Sequence, residues 1–195
     1  NSGTAGNAGH AGHAGSAGNA GNAGNGNAGN AGNAGASGPT DLDLIDQCTA
    51  TEPCLASSAQ LIEGYSHNIQ VDRAVCVLTA LRDRAPGRYH HEAMHTFSNG
   101  DVGTEHVLAI SSNGSVLRAE RSYEHGPAKS ETASKAERCT LKDTAYFQAC
   151  LDALAGTTPA DEEAAWKCVY GEQTGFSPSP LDWFTSCTPE AVSCE

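Results

Sequence analysis

The chain has 195 residues, and its 23 acidic residues outnumber its 11 basic residues, which gives a formal net charge of −12. Nucleic-acid binding is not expected, because the chain lacks the cationic clusters that displace counterions from phosphates. No apolar run approaches the ~18 residues of a membrane-spanning helix, so we expect no membrane span. The chain that follows the N-terminal repeat is long enough for one ordinary hydrophobic core, which predicts one domain.

Residues 1–38 are a low-complexity repeat without charged side chains, in which glycine falls at almost every third position. The repeat glycines are Gly3, Gly6, Gly9, Gly12, Gly15, Gly18, Gly21, Gly24, Gly26, Gly29, Gly32, Gly35 and Gly38. The triplet is mostly Gly-Asn-Ala, and its period slips by one residue at Gly24-Asn25-Gly26. We predict a stalk or tether over residues 1–38 and a cysteine-rich α+β head over residues 39–195.

Two forms of the repeat remain open. As a flexible tether, it would reach roughly 35 Å root-mean-square. As an extended polyproline-II-like strand (polyglycine II), it would span roughly 120 Å at about 3.1 Å per residue. The extended form leaves one face without side chains, where backbones can pair laterally, so it requires self-association of several chains. A collagen triple helix is disfavoured, because no proline precedes Pro39 and the slip interrupts the glycine period.

The head contains all eight cysteines of the chain, and their number and spacing indicate disulfide bonds. They are Cys48, Cys54, Cys76, Cys139, Cys150, Cys168, Cys187 and Cys194. No two of them have the Cys-x-x-Cys spacing that is typical of zinc sites. A disulfide framework implies an oxidising, extracellular compartment, and a first residue other than Met fits a mature secreted chain. Eight cysteines allow 105 pairings, among which the sequence alone does not choose, and the short-loop guesses are Cys48–Cys54 and Cys187–Cys194.

The first part of the head contains helix signals. Asp41-Leu42-Asp43-Leu44-Ile45 is expected to begin a short helix or strand. The apolar spacing of Pro53–Glu63 predicts a helix that ends at Gly64. A stronger apolar stripe predicts a helix that begins at Asp72 and stops at Pro86-Gly87.

The middle of the head has strand signals. Three strands are predicted over Tyr89–Phe97, Thr104–Ser111 and Ser115–Tyr123. The dipeptides Asn99-Gly100 and Asn113-Gly114 separate them, and both are strong hairpin signals. The segment is therefore predicted to be a three-stranded antiparallel meander.

Two helices are predicted after the meander. One covers Leu141–Ala155; the other has Thr158 as its N-cap, Pro159 at its first position and Gly171 at its end. Helices thus precede and follow the strands. The predicted fold class is α+β, a small disulfide-stapled domain with a three-stranded antiparallel meander and several helices.

The segment His91-Glu92-Ala93-Met94-His95 matches the pattern His-Glu-x-x-His and resembles the active-site helix of the zincin metallopeptidases. The resemblance implies that His91 and His95 bind zinc, while Glu92 polarises the metal-bound water. A downstream acid such as Glu120 or Glu124 would complete the ligands. The alternative is that this segment is a strand. In a strand His91 and His95 lie about 13 Å apart, too far to share one ion.

The sequence favours a non-enzymatic extracellular structural or interaction protein, a compact head on a glycine-repeat stalk that tethers it to a surface or assembles into a multichain fibre. No cofactor is predicted, since no phosphate-binding loop or dinucleotide fingerprint occurs. A small secreted zinc metallopeptidase is the alternative function. The expected partners are further copies of the chain and an extracellular protein or carbohydrate. Trp166, Tyr170 and Trp183 are candidate stacking surfaces for such a ligand, although aromatic residues at such positions more often belong to the core.

Overall fold

A computed structural model of the chain describes residues 39–48, 51–62, 66–127, 129–171 and 181–193. The repeat, residues 1–38, lies outside the described residues, and both of its forms stay predictions.

The described residues form helices and one mixed sheet, which confirms the α+β class. The helices are α1 (Asp41–Asp46), α2 (Val71–Asp83), α3 (Thr144–Ala155) and α4 (Pro159–Tyr170). The strands are β1 (Ser57–Ile62), β2 (Ser66–Ile69), β3 (Gly87–Phe97), β4 (Gly100–Ile110), β5 (Val116–His125), β6 (Ser130–Ala133), β7 (Glu137–Leu141) and β8 (Phe184–Pro189). The sheet therefore has eight strands rather than the three that the sequence predicted.

The strand order is β2-β1-β3-β4-β5-β7-β8, and β6 pairs with β5 as well. All neighbours are antiparallel except β1 and β3, which are parallel. Because a parallel pair needs a crossover, the chain between β1 and β3 carries β2 and α2. The three long strands β3, β4 and β5 form the centre of the sheet.

The helix predicted over Pro53–Glu63 is wrong, because Ser57–Ile62 form β1. Burial alternates along this strand, with Ala59 and Leu61 buried, and a period of two belongs to a strand. The apparent helical stripe used Leu55 and Ile62, whose exposed fractions are 70% and 37%. These two residues do not contribute to the core.

The later helices are closer to the prediction. Helix α3 begins after Leu141, which belongs to β7, and Asp143 caps it by accepting a hydrogen bond from the Tyr146 amide at 2.8 Å. Helix α4 has Thr158 as its N-cap, with a reciprocal capping box to Asp161. Side chains that can bond the first free amides therefore fix both starts.

The two faces of the sheet are covered differently. Helices α2, α3 and α4 pack on one face, the helix face, and form the main core with alternate strand residues such as Tyr89 and Leu108. Helix α1 covers one end of the opposite face through Leu42 and Ile45. The rest of that opposite face, the open face, carries polar side chains.

Three disulfide bonds link the described elements: Cys54–Cys76, Cys139–Cys187 and Cys150–Cys168. The predicted short-loop pairs are wrong, because Cys54 reaches α2 and Cys187 lies opposite Cys139 across β7 and β8. Cys48 is also disulfide-bonded, and Cys194 lies outside the described residues. Within the described ranges, no helix is long and apolar enough to cross a membrane.

Candidate binding groove on the open sheet face

A cavity of about 520 Å³ lies on the open face and crosses the sheet from β1 to β6. The ionisable residues that line it are His90, His91 and Glu92 of β3, Asp101 and Glu105 of β4, Arg121, Tyr123 and His125 of β5, Glu131 of β6 and Arg73 of α2. Apart from the buried His91, the strand residues meet on one face because side chains two positions apart point the same way. We call this cavity the groove.

Three charged residues form a row across the floor of the groove. Glu92 pairs in register with Glu105, and Glu105 pairs with Arg121. Arg121 donates to Glu105 from Nε at 3.1 Å, and a second bond runs from its Nη2. This ion pair compensates the charge of Glu105, so the two facing carboxylates are not equivalent.

His90 lies at the end of the groove nearest α1. Its Nε2 is 3.0 Å from Asp46 Oδ1, and its Nδ1 is 3.9 Å from Glu105 Oε1. The interaction with Glu105 raises the pKa of His90 above its ordinary value, and Asp46 and Glu52 add to the rise. In return, His90 and then Arg121 lower the pKa of Glu105. The carboxylates here favour the charged imidazole.

Tyr123 reaches across β4 to hold Glu92 on β3. Its hydroxyl donates to Glu92 Oε1 at 2.5 Å. The tyrosine crosses β4 at Gly103, its register partner, where a Cβ atom would lie 2.4 Å from the hydroxyl oxygen. Only glycine leaves this room. Burial, followed by the hydrogen bond to Glu92, raises the pKa of Tyr123, so the phenol remains a donor.

Opposite charges at the groove lack ion-pair partners. Among the described residues, neither Glu92 nor Asp101 contacts a cationic side chain, and Glu92 is bonded only to Tyr123. Arg73 likewise contacts no carboxylate in the described part of the chain; its Nη1 donates to the Ala56 carbonyl at 3.2 Å. The groove therefore presents two carboxylates, those of Glu92 and Asp101, and the guanidinium of Arg73 without an ion-pair partner among the described residues.

The structure does not bring the zinc-peptidase residues together. His91, Glu92 and His95 lie on β3, not on a helix. His91 and His95 are buried on the helix face, four positions apart, whereas Glu92 points into the groove. Residues four apart on a strand are separated by about 13 Å, so one zinc ion cannot bind both histidines. The proposed further ligands Glu120 and Glu124 lie on β5.

The buried histidines have other roles. His91 accepts a hydrogen bond from Ser57 through Nδ1 at 2.7 Å and donates from Nε2 to the Val169 carbonyl at 2.5 Å. In register, Ser57, His91 and His106 lie side by side on β1, β3 and β4. Burial lowers the pKa of His91 to about 4 and holds that of His106 well below its ordinary value. Both rings are therefore neutral near pH ~7.

One compact group of potential metal ligands occurs in the described residues, namely Glu137, Cys139 and Cys187. The two cysteines are bonded to each other, so neither offers a thiolate. The group therefore does not fit a metal ion.

The aromatic residues expected to stack on a ligand are part of the core. Trp166, Tyr170 and Trp183 are 6%, 0% and 0% exposed. Trp166 stacks on Tyr170 with ring centroids 4.2 Å apart, and Trp183 donates to the Cys168 carbonyl at 2.7 Å. These rings therefore take the commoner role expected for them, because helix α4 and the segment before β8 turn them into the core.

Sequence reasoning missed Arg73, Gly103 and Tyr123. Gly103 carried a usable signal, because glycine inside a strand often marks a close approach of another group. Arg73 and Tyr123 had none, since their position at the groove depends on contacts between distant segments.

Comparisons of the chain with protein-family models, curated proteins and solved structures find no match.

Proposed function

We propose that the protein is a non-enzymatic extracellular interaction protein whose head binds a small charged ligand, or a charged end of a larger one, in the groove. The observation that carries the proposal is the Glu92 carboxylate, held by Tyr123 across Gly103 and left without an ion-pair partner among the described residues. A carboxylate fixed in this way is ready to accept hydrogen bonds from a ligand.

The size and rigidity of the groove support a binding role. Its volume of about 520 Å³ falls within the roughly 300–1,000 Å³ of ordinary ligand sites. Its floor is built on three long paired strands, so ligand-contacting groups do not have to be ordered on binding. A preformed site loses less conformational entropy when the ligand arrives.

The disulfide bonds support the extracellular part of the proposal, because such bonds persist in oxidising compartments. In this proposal the repeat is the stalk that tethers the head to a surface or joins several heads into a fibre. Electron microscopy and solution scattering of the purified chain test the stalk. Heads on multichain rods would support assembly, whereas monomers with a coil-like N-terminus would leave only the tether.

Amide-resolved NMR titration tests the groove. The ¹⁵N-labelled chain is titrated with neutral sugars, amino sugars, polyamines, amino acids and short peptides at constant ionic strength. We expect at least one class to shift the amide signals of Glu92, Gly103 and Tyr123, and Tyr123→Phe to weaken this response. A panel that shifts no groove signal would contradict the binding role.

The zinc-peptidase alternative is not carried forward, because no observation in the described residues favours it.

A further inference from the structure

We infer that the ligand of the groove is a short zwitterionic peptide, with its ammonium group at Glu92 and its carboxylate at Arg73. This inference rests on the proposed function, since it names the class of ligand for the same groove. It follows from the signs of the available charges and from their separation.

Glu92 and Arg73 carry opposite charges that have no ion-pair partner among the described residues. Glu105 is already compensated by Arg121, and Glu131 lies 3.5 Å from His125 Nε2. Arg73 is the groove arginine that contacts no carboxylate in the described ranges, and it is anchored by the Ala56 carbonyl. A ligand with a cationic and an anionic end can therefore pair with Glu92 and Arg73 without displacing an existing ion pair.

The separation between the anchor positions of Arg73 and Glu92 sets the length of the ligand. Arg73 is anchored at Ala56, whereas Glu92 pairs in register with Ser58, two residues further along the neighbouring strand. Two strand residues span about 6.6 Å, and adjacent strands are about 4.8 Å apart, which places the backbone positions of Ala56 and Glu92 roughly 8 Å apart. An extended peptide of two or three residues spans about 7–10 Å. A peptide of this length matches the spacing of the two anchor positions.

A second carboxylate without an ion-pair partner among the described residues, Asp101, provides an internal control. It pairs with Thr96 and lies four residues from Glu105 along β4, about 13 Å from the row that contains Glu92. A ligand that bridges Arg73 and Glu92 does not reach it. Asp101→Asn changes the net charge of the groove by the same amount as Glu92→Gln. It leaves the predicted contact between Glu92 and the ammonium group in place.

The experiment compares triglycine with N-acetyl-triglycine, which lacks the ammonium group, and with triglycine amide, which lacks the carboxylate. Dissociation constants of the full chain are measured by NMR titration at fixed pH and ionic strength. We expect triglycine to bind in the groove and each blocked peptide to bind at least tenfold more weakly, because an ionic hydrogen bond is lost at one end.

Variants assign each end to its residue. In Glu92→Gln, triglycine and N-acetyl-triglycine should bind equally weakly, because the partner of the ammonium group is gone. In Arg73→Gln, triglycine and triglycine amide should bind equally weakly, because the partner of the carboxylate is gone. Asp101→Asn and Arg82→Gln are the matched controls. Arg82 lies on the same helix as Arg73 but is paired with Asp83. Both controls should keep the tenfold preferences, and unchanged amide spectra elsewhere would establish that each variant is folded.

The outcomes separate this inference from the proposed function. Equal binding of free and blocked peptides, or loss of the amine preference in Asp101→Asn, would overturn the zwitterion assignment. If another member of the panel shifts the groove signals while triglycine does not, the inference fails and the binding function stands. If no compound shifts them, both fail.

Discussion

At the scale of single residues, the groove depends on Gly103, which lets the Tyr123 side chain lie across β4. Tyr123 is 9% exposed, so its phenol is packed almost like a core residue although it belongs to the open face. Its hydroxyl then holds Glu92 on the next strand. The carboxylate is thus positioned by two residues that lie 11 and 31 positions later in the chain.

Gly103→Ala is expected to displace Tyr123. The new Cβ would lie 2.4 Å from the tyrosine hydroxyl and 2.5 Å from Cζ, and overpacking of this kind costs about 1–3 kcal/mol. Urea denaturation should show this loss in the free energy of unfolding. In a Tyr123→Ala background the same substitution should cost less, because the colliding ring is absent. Strictly additive losses would contradict the proposed contact.

The residue scale also marks the limit of sequence reasoning about the site. The sequence marks Glu92 as a catalytic candidate, but through a motif that requires a helix. Its neighbours along the chain, His91 and His95, point to the other face of the sheet. The residues next to Glu92 in space are set by strand pairing. The alternation of apolar and polar residues along one segment does not specify that pairing.

At the scale of elements, the register of β1, β3 and β4 places Ser57, His91 and His106 in one buried row. His106 is 1% exposed and, within the described part of the chain, its ring nitrogens accept or donate no hydrogen bond. His91 on β3 and Glu120 and Arg118 on β5 face it. The row supports neutral imidazoles and disfavours charged ones.

This row predicts acid destabilisation. Burial lowers the folded-state pKa of His91 from 6.5 to about 4, so unfolding takes up a proton between these values. The free energy of unfolding should fall as the pH falls through this window, by about 3 kcal/mol for His91, and His106 should add to the fall. His90 acts in the opposite sense: its raised pKa gives stability that is lost as the pH rises through the folded-state value.

Urea denaturation at several pH values between ~6.5 and ~4 measures this effect. His106→Gln should flatten the dependence of stability on pH, because one buried titrating group is gone. His125→Gln, at an exposed position on β5, should keep the slope of the unmodified chain. Identical slopes in all three proteins would show that the buried row does not control the acid response.

The elements differ in how well the sequence predicts them. Helix α4 carries its own start and stop, Thr158 with Asp161 and then Gly171, and these are local hydrogen-bonding signals. Strand β1 carries weaker local signals and owes its conformation to pairing with β2 and β3. Helix caps can be predicted from the sequence, because the residues that form them are close together in the chain. A short strand such as β1 depends on pairing with two other strands, and the spacing of its own apolar residues does not reveal that pairing.

At the scale of the whole molecule, the net charge of −12 acts on any ligand that approaches the groove. Such a field repels anions and raises the local concentration of cations. The ammonium end of a zwitterionic peptide is therefore attracted from a distance, while its carboxylate depends on the local guanidinium of Arg73. The field and the local contacts together favour one orientation of the peptide.

The disulfide bonds connect the helices and the sheet edge into the scaffold that supports the groove. Cys139–Cys187 attaches β8 to β7 and closes a loop with a sequence separation of 48, whereas Cys150–Cys168 joins α3 to α4 with a separation of 18. A longer closed loop restricts the unfolded chain more strongly. The chain-entropy relation gives about 4 kcal/mol for the first bond and about 3 kcal/mol for the second.

We therefore expect the double variant Cys139→Ala/Cys187→Ala to lose more stability than Cys150→Ala/Cys168→Ala. Urea denaturation of both variants measures the difference, and each serves as the control for the other, since both remove two cysteines. Cys139 and Cys150 are 5% and 1% exposed. Truncation to alanine also removes packing contacts, and this loss is greater at the more buried Cys150, so it opposes the order expected from loop closure. If the variant that lacks Cys150–Cys168 is the less stable one, the packing around α3 and α4 outweighs the loop-closure entropy. The contacts of these two helices, rather than the attachment of β8 to β7, would then limit the stability of the head.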